Sequence, residues 1–329
     1  MTDAERLALH ERVEKETGNI REIAAMKNGK LVYEDYWGGF KPTHTLHVMS
    51  VTKSVVSLLI GIAIDKGLIK SVEQKVLDFF PDYTVKRGER TIQQVTLRHL
   101  LTMTAPYKYR SEPWTRVCTS DDWPQAALDL LGGKNGLTGE YRYSTLGIHI
   151  LTGIISKTSG LTTVEFANRY LFTPLGISPY RGYEVQTAEE HKAFIMSKEP
   201  KDNIWLVDPQ GVGTAGYGLC LSARDMAKLG GLCLSGGEYD GKRIVSRGWI
   251  EGSTKPRVQG GELFGNMSYG YLWWTPDKER PAYAALGNGG NVIYINPERG
   301  TVVSVACVFK PLIFDRVEFI QKNIEPLLD

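Results

Sequence analysis

Ser50 and Lys53 stand three residues apart in the tetrad Ser50-Val51-Thr52-Lys53. A serine hydroxyl is a weak nucleophile until a base takes its proton. A lysine can be that base only when its amine is uncharged. Residues 51–64 read VTKSVVSLLIGIAI, a helix apolar on all sides and therefore buried. Residues three apart on a helix share a face, so hydroxyl and amine become neighbours at its first turn. Burial and the positive end of the helix dipole both disfavour the ammonium form. The same helix start offers backbone N–H groups to a developing oxyanion. The plain alternative makes Ser50 an N-cap and Lys53 a first-turn surface residue, and roughly one S-x-x-K match is expected by chance in a chain this long.

Two further segments carry chemistry of the same kind. Tyr143 lies in Tyr141-Arg142-Tyr143-Ser144-Thr145, in a loop before a helical pattern. A phenol beside a serine–lysine pair can carry a proton to a leaving group. Gly287-Asn288-Gly289-Gly290-Asn291 leads into a strand-like run. Glycines at a strand edge let a ligand approach the backbone. Each segment alone also reads as an ordinary rim tyrosine or a flexible turn.

Other motifs fail. Residues 211–216 spell G-x-G-x-x-G, yet Tyr217-Gly218 follows and no helix pattern opens there. Residues 236–242 resemble a phosphate loop, but Arg243 stands where a magnesium-binding Ser or Thr belongs. The six histidines show no ligand spacing, so no metal and no cofactor are expected. No G-x-S-x-G elbow is present.

The elements that must position these residues follow from the apolar pattern. Helices are expected over 3–17, 51–64, 96–103, 123–131, 146–157, 164–170, 222–234 and 313–327. Strands are expected over 20–26 and 31–37, joined by an Asn28-Gly29 hairpin turn. Further strands are expected over 269–274, 282–286, 292–295 and 301–309. Strands at both ends with helices between imply an α+β fold. An antiparallel sheet, flanked by helices, is built from both termini. A helical domain, residues 71–190, is inserted into a sheet domain of residues 1–70 and 191–329, with the site at their interface.

Composition leaves room for this and excludes little else. The 329 residues carry 39 Lys and Arg against 37 Asp and Glu, with no basic stripe, so nucleic acid is not an expected partner. Cys118, Cys220, Cys233 and Cys307 form no C-x-x-C pair, and Cys220, Cys233 and Cys307, in apolar runs, read as small core residues. The longest apolar stretch, 55–64, is too short to span a bilayer. Residues 1–16 are charged and lack an apolar signal core. A cytoplasmic location and no membrane partner are expected.

The order of these segments resembles the serine β-lactamase and penicillin-binding-protein family, including class C β-lactamases, D-Ala-D-Ala carboxypeptidases and esterases. Residues 47–54, HVMSVTKS, are similar to its nucleophile segment, and 95–104, VTLRHLLTMT, to its T-L-R-x-L-L stretch. Tyr143-Ser144-Thr145 resembles its Tyr-x-Asn motif. Residues 171–176, 216–219 and 269–274 are also similar, the last resembling the 6-aminohexanoate-dimer hydrolase branch. Residues 287–291 fall where the family has Lys-Thr-Gly or His-x-Gly. The resemblance implies Ser50 as acylated nucleophile, with Lys53 and Tyr143 as proton carriers. It implies an oxyanion hole from the amides of Ser50 and Asn291, and Thr145, Asn288, Gly289 and Gly290 against the substrate. Thr145 stands for the expected asparagine and Asn288 for a cationic or titratable residue. Both departures point away from β-lactams and D-Ala-D-Ala peptides and toward a small neutral ester or amide. The rival readings are a true β-lactamase or carboxypeptidase, and a non-catalytic relative kept as a scaffold.

Overall fold

The architecture is that of a computed structural model, which describes residues 1–277 and 280–328. Helix α1 (Asp3–Glu16) starts at a capping box formed by Thr2 and Glu5. It leads into β1 (Ile20–Lys27) and β2 (Lys30–Tyr36), joined at Asn28 and Gly29, which both have positive φ. Helix α2 (Val51–Asp65) follows, then α3 (Trp123–Leu130) and α4 (His149–Ser159). Helix α5 (Ala223–Leu234) starts at the Ser222 cap. The remaining strands of the main sheet are β3 (Val258–Gln259), β4 (Ser268–Tyr269), β5 (Trp274–Thr275), β6 (Tyr283–Gly287), β7 (Asn291–Asn296) and β8 (Thr301–Cys307). Helix α6 (Val317–Asn323) comes last.

One eight-stranded antiparallel sheet runs in the order β2-β1-β8-β7-β6-β5-β4-β3. The N-terminal hairpin joins the C-terminal strands where Ile23 pairs with Val305. No strand of this sheet comes from residues 71–190. Helix α5 lies close on the sheet because Gly230 faces Val302 and Ile293, where any Cβ would collide. Helix α2 is buried from Val51 to Ala63 and packs against both β6 and α4. A single apolar core runs through all of these elements. Among the described residues no helix is long and apolar enough to cross a membrane.

Four segments depart from the pattern expected of the sequence. Residues 269–274 are not one strand; β4 and β5 are the arms of a tight turn with Leu272 at φ +63°. The turn is held by contacts remote in sequence, Leu272 N to Leu101 O and Ser54 Oγ to Leu272 O. The helix expected from 146 starts at His149, because 144–148 form a separate turn. The helix expected from 164 is short, Thr163–Ala167, and widens into a looser turn at Asn168–Phe172. The final helix starts at Val317 rather than 313, where Asp315 accepts the Val317 N–H.

Candidate active site

Ser50 occupies the N-cap position of α2 but does not cap it. The first N–H groups of the helix are taken instead by the carbonyls just upstream: Val51 by Val48, Thr52 by Met49 and Lys53 by Ser50. Met49, immediately before the serine, sits at φ +51°. Such a conformation is costly for a side chain with a Cβ and persists where the surroundings impose it. The result is a serine hydroxyl released from the helix end.

Lys53 uses that hydroxyl. Its Nζ lies 2.8 Å from Ser50 Oγ and 2.6 Å from the carbonyl oxygen of Gly216. The side chain is only 2% exposed. Burial lowers the amine from its ordinary value near 10.5 to about 7, with Glu112 opposing. A neutral amine can donate to the Gly216 carbonyl and still offer its lone pair to the Ser50 proton. Gly216 must be glycine here, since a Cβ would strike the Thr145 carbonyl at 2.4 Å.

The Tyr143 ring covers the amine, with its centroid 4.7 Å from Lys53 Nζ. Burial drives the phenol well above its usual range, partly offset by hydrogen bonding to Ser50. The ring is held by a second aromatic layer, 5.1 Å from Phe264 and 6.2 Å from Trp274. His149 lies behind: its Nδ1 accepts from Ala215 N, and burial lowers it to about 3, with Lys53 contributing. It is therefore a neutral neighbour of the amine.

The β6–β7 hairpin meets Ser50 differently from the expected arrangement. Gly287, the last residue of β6, faces Ser50: a Cβ there would lie 2.3 Å from Val48 O and 3.2 Å from Ser50 N. Asn288, next in the chain, is the exposed residue of the turn. The amides of Ser50 and Asn288 donate to no protein acceptor among the described residues. Asn291 is instead fully buried and paired across the ladder with Gly287. Its side chain accepts from Cys307 N and donates to Asn288 O. Asn291, expected as the second oxyanion donor, is thus held in the sheet, and it is Gly287, four residues earlier, that faces Ser50. Gly289 and Gly290 are small for a packing reason: their faces meet Phe309 and Lys310, and Arg316 and Ile313, respectively. Thr145 packs on Gly216, and its N–H goes to Glu112.

Sequence reasoning missed Gly216, Gly287, His149 and Glu112. Gly216 sits inside the rejected G-x-G-x-x-G, where a run of glycines beside a tyrosine was the available signal. A cavity of about 890 Å³ is lined by residues such as Arg247, Ile250 and Tyr283, with none of the residues above. Chemistry rather than volume locates the site. Among the described residues no cluster of three or more His, Cys, Asp or Glu side chains is arranged to hold a metal ion.

A serine with a buried amine at hydrogen-bond distance, set between an antiparallel sheet and helices, defines the serine hydrolases of the S-x-x-K type. The comparisons agree. The family model described as Beta-lactamase matches residues 17–317, and the chain belongs to that family. A 6-aminohexanoate-dimer hydrolase of Paenarthrobacter ureafaciens is 27% identical over 300 residues, 84% of this chain and 70% of that protein. A class C β-lactamase structure from Rhodobacter sphaeroides has a TM-score of 0.71 at 17% identity, covering 100% of both chains. A putative 6-aminohexanoate-dimer hydrolase structure from Bacillus anthracis has a TM-score of 0.68 at 22% identity, covering 91% of this chain and 76% of that one. The protein is a serine hydrolase with the β-lactamase-like α+β fold.

Proposed function

We propose that this enzyme hydrolyses small neutral esters or amides through an acyl-enzyme on Ser50. The observation that carries the reading is the 2.8 Å contact between a buried Lys53 amine and Ser50 Oγ. With its amine brought to about 7 by burial, Lys53 is the base that takes the serine proton. Oγ attacks the substrate carbonyl, and the amides of Ser50 and Asn288 receive the oxyanion. Tyr143, kept protonated by burial, delivers a proton to the leaving alcohol or amine. Water then attacks the acyl-enzyme, the Tyr143 phenolate takes its proton, the Lys53 ammonium returns a proton to Ser50 Oγ, and Ser50 and the acid are released. Residues 71–190 bring Tyr143 to this site, and residues 1–70 with 191–329 bring Ser50, Lys53 and the β6–β7 hairpin.

Asn288 supports the neutral substrate. It is the exposed residue next to the nucleophile's hairpin and carries no charge to pair with a carboxylate. The test is intact-mass measurement after a fluorophosphonate, activated esters, a chromogenic cephalosporin and 6-aminohexanoate dimer, the last because a relative is named for it. One adduct on the peptide containing Ser50, lost in Ser50→Ala, is expected. Turnover of the cephalosporin above all esters would replace this reading with a β-lactamase. Labelling elsewhere would remove Ser50 from the chemistry.

A further inference from the structure

We propose that Glu112 is a positioning residue: one carboxylate oxygen gathers the turn that presents Tyr143, while its negative charge faces the Lys53 amine. The proposal rests on the hydrolase reading of Ser50 and Lys53.

The geometry is specific to a single atom. Glu112 Oε1 accepts from Thr145 N at 2.6 Å, Leu146 N at 2.9 Å, Ser144 Oγ at 3.0 Å and Tyr109 OH at 3.3 Å. Ser144 is fully buried and also accepts from Gly147 N at 2.9 Å, while its Oγ lies 2.6 Å from the Tyr109 hydroxyl. Helix α4 begins just beyond this turn, and Ile148 at its N-cap has no side chain that can cap. Helix starts leave N–H groups needing acceptors. Here a carboxylate from another segment serves the turn that leads into the helix, and Tyr143 is the residue immediately before the three consecutive residues it gathers, Ser144, Thr145 and Leu146. Charge-assisted bonds of this kind are stronger than neutral ones, so the turn holds the phenol where a looser cap would let it wander.

All four donors to Oε1 are neutral, so they leave the negative charge uncancelled. The groups against the Lys53 amine are the Ser50 hydroxyl, the Gly216 carbonyl and the Tyr143 ring, and Glu112 connects to them through Thr145, which it binds at N and which packs on Gly216. His149 is neutral by burial and Tyr143 is protonated. Arg142, on the Tyr143 segment, donates to the carbonyls of Tyr107 and Tyr109. Glu112 is then the negative group that opposes loss of the Lys53 proton, and it restrains how far burial can drive the amine down. One side chain thus sets both where the acid stands and at what pH the base becomes free.

The experiment uses two variants of the full chain. Glu112→Gln keeps a carbonyl acceptor for the Thr145 and Leu146 N–H groups but removes the charge. The onset of Ser50 acylation should move to lower pH by about half a unit or more, and NMR titration of the Lys53 side chain should move with it. Glu112→Ala removes the acceptor, and kcat should fall about a hundred-fold, with KM changed far less. An unshifted Lys53 titration in Glu112→Gln would overturn the charge role. A Glu112→Ala enzyme with wild-type kcat would overturn the positioning role. If Glu112→Ala does not fold, Glu112→Asp, with its acceptor pulled back by one methylene, must lower kcat, and unchanged kcat overturns the role equally. The NMR titration needs no turnover, so a wild type that never acylates Ser50 fails the hydrolase reading separately.

Discussion

Lys53 and Glu22 are both sealed in the interior at the start of a helix, and they come to opposite uses. Lys53 is 2% exposed in the first turn of α2. Glu22 is 0% exposed on β1, and its Oε2 accepts the first N–H of α5, from Ala223, at 2.7 Å. Burial lowers the lysine to about 7 and raises the glutamic acid to about 8. Near neutral pH desolvation therefore brings each toward its uncharged form. Lys53 has a hydroxyl at 2.8 Å that is itself partly open to the cleft. Glu22 has a backbone N–H on one oxygen and no partner on the other. A perturbed ionisable group becomes chemistry only where a reactive group and a path for substrate lie beside it; elsewhere it is a helix cap with a pH-dependent cost.

The comparison can be broken most sharply through activity. Ser50→Ala should abolish acylation, and Lys53→Arg should lower it roughly a thousand-fold or more, because a guanidinium does not give up its proton at these pH values. Glu22→Gln should leave the acylation rate within about two-fold. Equal losses at the two positions, read by stopped-flow release of nitrophenol, would erase the distinction.

Stability separates the pair in opposite directions. The folded state holds Lys53 near 7, against 10.5 for the ordinary group. The unfolded chain therefore binds the extra proton between those values, and wild-type stability falls as pH drops from about 10.5 to 7. Lys53→Met should stabilise at pH 7 by an amount on the order of a few kcal/mol, shrinking as pH rises through that window. Urea unfolding at pH 7 and 9.5 measures it. A variant less stable than wild type at pH 7 would mean that the amine is not held at a cost.

Glu22 has the reverse sign. Its folded value near 8 exceeds the ordinary 4.5, so wild-type stability falls as pH rises from about 4.5 to 8. Its slope should be at most about 1.4 kcal/mol per pH unit. Glu22→Gln should flatten this part of the curve. An unchanged slope would show that Glu22 ionises freely in the folded protein.

The smallest effect concerns selectivity beside Ser50. Asn288→Lys should move the ratio of kcat/KM toward esters bearing a carboxylate by roughly ten-fold, equivalent to about 1.4 kcal/mol. The assay belongs at low ionic strength, since salt screens an exposed charge. A folded, acylating variant with an unchanged ratio would remove Asn288 from contact with substrate.

The features legible in the sequence are those governed by local periodicity. Ser50 and Lys53 meet because a helix brings residues three apart onto one face. The β1–β2 hairpin follows from Asn28-Gly29, and the Ser222 cap from its own residue type. The β6–β7 turn was visible as a glycine cluster, but which of its residues meets Ser50 was not: Gly287, four residues before Asn291, faces it. Nothing within 287–291 distinguishes these, because the distinction is which residue faces α2. Glu112 lies 33 residues from Thr145, and Gly216 lies 163 residues from Lys53. No spacing rule connects such pairs. Residues 269–274 alternate like one strand, yet Leu101 and Ser54 bend them into a turn. Repeat geometry along the chain determined the serine–lysine pair. What packs over that pair, and so what charge the lysine carries, belongs to desolvation by distant segments and was decided only when they closed around it.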